Sequence, residues 1–86
     1  MVNEKFEVGD RVRIVNLLAN GKMPVGIIEC INGAYHYVHT PVAGETKTDR
    51  CVYEAYPNEL VHVTKEEYFL HLLEGSNVED APPTKL

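Results

Sequence analysis

The sequence predicts a mainly β fold, a run of short strands followed by one short helix, and three observations carry that prediction. Arg11-Val12-Arg13-Ile14-Val15 alternates apolar and charged residues with a period of two, as a half-buried strand does. Asn32-Gly33 is a hairpin dipeptide set between two β-patterned runs. Thr64-Lys65-Glu66-Glu67 is a capping box, the start signal of a helix.

Taken in order, residues 1–5 are expected to fray as an N-terminal arm. Phe6-Glu7-Val8 leads to the turn pair Gly9-Asp10, and the first strand then points Val12 and Ile14 inward and Arg11 and Arg13 outward. Asn16 to Pro24 contains leucines but closes on Asn20-Gly21 and Met23-Pro24, so it is expected to be a loop that carries apolar groups across one end of the fold. Gly26 to Ile31 is nearly continuous in apolar residues, the pattern of a strand covered on both faces. Asn32-Gly33 can supply positive φ at both central positions of a tight turn, which leads to a third strand, Tyr35 to Thr40. Pro41 to Arg50 has no apolar period and is expected to be a mobile surface loop. A fourth strand follows at Cys51 to Tyr56, then a 3₁₀ turn at Pro57 to Leu60 and a closing strand at Val61 to Val63.

Five short strands with one 3₁₀ turn before the last describe an SH3-like barrel, in which the sheet curls on itself and exposes little edge. The barrel is expected to span residues 6–63, followed by a helix over 64–75 and a disordered tail over 76–86. In the helix, Thr64 and Glu67 are expected to exchange hydrogen bonds, with Val63 and Tyr68 as the hydrophobic staple. Tyr68, Phe69, Leu72 and Leu73 are placed on one apolar face, Gly75 stops the helix, and the tail has too little apolar matter to order. A helix this short is marginal alone, so its apolar face must dock either on the barrel or on a partner.

A chain of 86 residues is one domain with a small core. No apolar run approaches the ~20 residues of a membrane span, and the N-terminal MVNEKFEVGD lacks the basic and apolar regions of a secretory signal, so a cytoplasmic protein is expected. Cys30 and Cys51, with no CxxC, are expected to be reduced and half-buried. Net charge is −5: residues 1–24 carry four basic and three acidic groups, while 25–62 and 63–86 each carry two basic and five acidic. An acidic body repels phosphate backbones and weighs against nucleic acid as a partner.

VGDRVRI, a short loop, VGIIE, GAYHYVHTPVAG and CVYEAYPNEL follow one another in an order that resembles the C-terminal SH3-like domain of the nitrile hydratase β subunit. The similarity covers about residues 6–63, and Gly33-Ala34-Tyr35, Tyr37, Thr40 and Gly44 are its most particular part. The same superfamily includes the ferredoxin–thioredoxin reductase variable chain and the photosystem I subunit that helps dock ferredoxin, small accessory barrels without a cofactor. Asp49-Arg50 to Pro57-Asn58-Glu59-Leu60 resembles the closing part of the reductase chain. The resemblance implies an accessory or assembly module that docks on a protein, in the manner of a subunit of a metalloenzyme or redox complex. One departure limits it: Leu17 to Pro24 carries no arginine where the nitrile hydratase loop does, so that loop's catalytic contribution is not implied here.

The sequence spells out no reaction of its own. His36 and His39, three apart on one strand, point to opposite faces, and a metal site from Cys30, Cys51, His36 or His62 would need assembly across strands. No Ser or Cys has a nucleophile's context, and the glycines belong to turns. Glu54 and Glu59 are expected to be solvated strand-end carboxylates. No catalytic residue, cofactor or metal is therefore assigned. Tyr35, Tyr37, Tyr53 and Tyr56 are large rings with polar tips, the composition favoured at protein interfaces, and a barrel this small cannot swallow them all. The expected role is a non-catalytic binding module with Arg11, Arg13, Tyr35, Tyr37, Tyr53, Tyr56, Tyr68 and Phe69 as partner-binding candidates. The alternatives are a nucleic-acid-binding barrel using Arg11, Arg13 and Lys22, a subunit of a split nitrile hydratase-type enzyme, and a phage-type inhibitor of a host protein.

Overall fold

The computed structural model describes residues 5–18, 22–41, 51–73 and 84–85. Within them lie the strands β1 (Arg11–Ile14), β2 (Leu17–Leu18), β3 (Val25–Asn32), β4 (Tyr35–His39), β5 (Val52–Ala55), β6 (Leu60–His62) and β7 (Thr84–Lys85), a 3₁₀ turn at Pro57–Glu59, and one helix, α1 (Lys65–Leu73). Five strands form one antiparallel sheet in the order β5-β4-β3-β1-β6, while β2 and β7 pair separately. The fold is mainly β, with its 3₁₀ turn before the last strand of the main sheet and the helix after it. No ladder joins β5 to β6 among the described residues. No helix among them is long and apolar enough to cross a membrane.

The alternation in β1 does what its sequence requires. Val12 and Ile14 are buried, and they meet Phe6, Leu17, Ile28, Val38, Ala55 and Leu60 in one core, with Ile31 and Tyr53 packed against it. Every strand of the main sheet contributes, and burying each aliphatic side chain stabilises the fold by roughly 1.5–3 kcal/mol relative to exposure. β1 carries a ladder on each edge, Val12 facing Gly26 of β3 on one side and His62 of β6 on the other.

Three local features differ from the sequence expectation. The hairpin turn is shifted by one residue: Asn32 pairs with Tyr35, so Gly33-Ala34 form the loop, and Gly33 sits in the left-handed region at φ +63°. β3 is longer than expected and carries a bulge at Glu29, because Ile28 faces Val38 while Cys30 faces the next residue, Tyr37. The bulge resets the alternation, leaving Glu29 and Cys30 consecutively exposed and Ile31 turned back to the core. The loop after β1 holds a two-residue strand, with Leu17 facing Lys85 and Leu18 facing Thr84. Thr84 and Lys85 thus gain order from backbone hydrogen bonds, which need no apolar side chain. The rest of the expected tail, 76–83 and 86, lies outside the described residues, as do 1–4 of the arm, 42–50 of the loop and Gly75.

α1 is capped as its sequence dictates in one direction only. The Glu67 amide donates to Thr64 Oγ1 at 3.1 Å, but the Glu67 carboxylate accepts from the Thr64 hydroxyl at 3.3 Å rather than from its amide. The helix packs against β3, and its orientation corrects the expected apolar face: Tyr68 and His71 are buried, whereas Phe69 is half-exposed and Leu73 is 84% exposed. The outward arginines of β1 give the reason. The Arg11 guanidinium sits 5.8 Å from the Tyr68 ring centroid and 6.0 Å from that of Phe69, so the sheet presents a cation to the helix, and aromatic rings answer it better than leucines.

Gly26 has no room for a side chain, since a Cβ there would collide with the His39 carbonyl oxygen and lie 2.7 Å from Val38 Cγ1. Gly26→Ala is expected to cost about 2–3 kcal/mol through overpacking, read as a lower urea midpoint at unchanged slope.

Candidate functional site

The candidate residues fall into two groups on different parts of the molecule. Arg11, Arg13, Tyr68 and Phe69 gather where α1 covers β1. Arg11 lies under the two rings, its Nε buried without a hydrogen-bond partner, and Arg13 Nη1 donates to the Met23 carbonyl at 3.1 Å. Tyr68 is buried. Arg11 is thus engaged by the helix and Arg13 by the loop, and of the two rings Phe69 alone stays largely open. Beside them a cavity of about 450 Å³ is lined by Arg13, Lys22, Met23, Glu67, Leu70 and His71.

The second group forms because β4 and β5 pair with His36 facing Ala55, which sets Tyr35 at the start of one strand opposite Tyr56 at the end of the other. The two rings stand 5.1 Å apart, tilted by 35°, and the Tyr56 hydroxyl donates to the Tyr35 hydroxyl at 3.1 Å. Both are exposed, at 41% and 44%. They border an open groove of about 420 Å³ completed by Val52, Tyr53, Glu54 and Glu59. Tyr53 faces Val38 across the ladder and packs on the core, so only part of it reaches the groove. Tyr37 faces Glu54, half-buried, and is not among the lining residues.

Glu59 anchors this corner in a way the sequence did not signal. Its carboxylate accepts from the Tyr56 amide at 2.8 Å and from the Asn16 side-chain amide, and its carbonyl accepts from the Val15 amide at 2.9 Å. The 3₁₀ turn is thereby tied to the end of β1, and Tyr56 is held in place by its own backbone. The Tyr56 hydroxyl is pushed above the usual tyrosine range, first by its hydrogen bond to Tyr35 and further by the negative charges of Glu59 and Glu54.

The histidines are occupied locally. His36 is buried with Nδ1 3.1 Å from the Ala34 carbonyl, and His39 Nδ1 lies 4.0 Å from Glu29. His62 Nε2 lies 3.0 Å from the Asp10 carboxylate and its ring stacks on Phe6 with centroids 4.5 Å apart. No three His, Cys, Asp or Glu side chains converge on a metal position among the described residues. Cys30 is exposed, not half-buried as expected, because the bulge turns it outward; Cys51 is half-buried, and both thiols are free. Asp10 was legible only as half of a turn pair. Its carboxylate also accepts from the Glu7 amide at 2.9 Å, and this bond, followed by the one to His62, holds it below the ordinary carboxylate range.

Comparison with protein-family models, curated proteins and solved structures gave no match. The geometry therefore carries the functional reading.

Two titrations check this account. Because the folded state depresses the Asp10 carboxylate, its contribution to stability is present at neutral pH and lost as pH falls through the depressed value. Asp10→Asn is thus expected to lower the denaturation midpoint at pH 7 and to converge with wild type in strong acid. Tyr35→Phe removes the acceptor of the Tyr56 hydroxyl, so the Tyr56 ionisation, isolated by difference against Tyr56→Phe in alkaline ultraviolet titration, is expected to move to lower pH.

Proposed function

We propose that this chain is a non-catalytic binding module, built as an SH3-like barrel, that docks on a protein partner through the Tyr35–Tyr56 surface. The barrel reading is supported by the strand order and by Ala55 and Leu60, which come from the two edge strands of the sheet and share one core. The resemblance to the nitrile hydratase β-subunit domain adds the expectation of an accessory or assembly subunit, with a metalloenzyme or redox complex as the partner class. One observation carries the docking role: two tyrosine rings, paired to each other and 41% and 44% exposed, border an open groove. Rings of this kind supply much contact area at low cost in side-chain entropy. They are also fixed before binding, by the Tyr–Tyr hydrogen bond and by the Glu59 carboxylate on the Tyr56 amide.

A phosphate-binding surface on Arg11, Arg13 and Lys22 is less well supported, since Arg11 is engaged by Tyr68 and Phe69 and Arg13 by the Met23 carbonyl. The test is capture from the native host with the tagged full chain, compared with the Tyr35→Ala/Tyr56→Ala double variant. A partner recovered by wild type and reduced at least about tenfold by the variant, at equal thermal midpoint, is the expected result. Equal recovery by both proteins, or a lone monomer in every fraction, overturns the docking role.

A further inference from the structure

The Tyr35–Tyr56 groove has a sign. Among the described residues that line it, Glu54 and Glu59 are acidic and none is basic. Glu59 is held in place by the Tyr56 amide and Asn16, so its charge is fixed beside the rings, while Glu54 stands exposed on β5. Rings that share a groove with carboxylates attract cations twice, through the π quadrupole and through charge.

The pair has a polar direction as well. The two hydroxyls share one hydrogen bond, so one phenol proton is left to be offered outward to an acceptor such as a peptide carbonyl. A groove of about 420 Å³ suits a few side chains of an extended segment and is too small for a folded surface. On the basis of the docking role proposed above, we infer that the groove takes an extended segment of the partner protein that lays a basic side chain, arginine or lysine, on the Tyr35 and Tyr56 rings with its charged head toward Glu54. Arginine is the better fit of the two, because its planar guanidinium stacks on a ring while still donating to a carboxylate.

Selection of random phage-displayed heptapeptides on the immobilised full chain tests this, followed by affinity measurement of the enriched peptides as synthetic probes. Enriched peptides are expected to share a basic residue and to weaken about tenfold when it is replaced by norleucine. They are expected to weaken about fivefold against Glu54→Gln, more at low than at high salt, and to lose measurable binding to Tyr56→Leu at an unchanged melting midpoint. Peptides that lack a basic residue, or that bind Glu54→Gln as well as wild type, overturn the inference. The docking surface itself then stands if Tyr56→Leu still abolishes binding. Peptides indifferent to both substitutions, or no enrichment at all, overturn the docking role together with the inference.

Discussion

Four residues, Arg11–Ile14, hold the molecule together by pairing on both edges at once. One ladder binds β1 to β3, which follows it closely in sequence, and the other to β6, which arrives some fifty residues later. The second ladder closes a long loop, and the entropy of that closure has to be met by contacts made when it forms. Val12 and Ile14 supply them on the inner side, with Leu60 opposite Ile14 and Ala55 in the same core. On the outer side Arg11 gives the helix a cation to rest its rings on. A single alternating tetrapeptide thus takes part in both ladders of β1, puts Val12 and Ile14 into the core and gives α1 its seat.

That division of labour explains where the arginines went. Outward-pointing arginines on a strand look, in a sequence, like groups free to meet a partner. Here the same chain reaches them first: the Met23 carbonyl takes Arg13, and the helix that starts at the Thr64 cap just after β6 leaves β1 takes Arg11. The aromatic pair on β4 and β5 has no such element over it among the described residues and keeps its rings at the surface.

Much of the fold was legible because it rests on local rules. The alternation of β1, the hairpin after β3, the 3₁₀ turn and the helix start each follow from a few adjacent residues. What stayed hidden depends on partners distant in sequence. Nothing in Leu17-Leu18 or Thr84-Lys85 announces their pairing, because a two-residue backbone ladder has no side-chain period to read. The meeting of Tyr35 and Tyr56 is set by the β4–β5 register, and that of Glu59 with Asn16 by the return of the chain to β1. The tyrosines were recognisable as a class; which two would face each other, and that Tyr37 would stand apart from the groove, was a matter of register alone. The helix face was misplaced for a related reason, since periodicity ranks side chains by hydrophobicity and takes no account of the charge beneath them.

The bulge at Glu29 has a consequence for the shape of the whole sheet. A strand with one residue more than its neighbour must arch, and arching at β3, the middle strand of five, swings both margins toward the same side. Deleting that glutamate would leave every facing pair intact, Ile28 with Val38 and Cys30 with Tyr37, and straighten the strand between them. Curvature is thereby assigned to the presence of one residue in the count rather than to a side chain in the core.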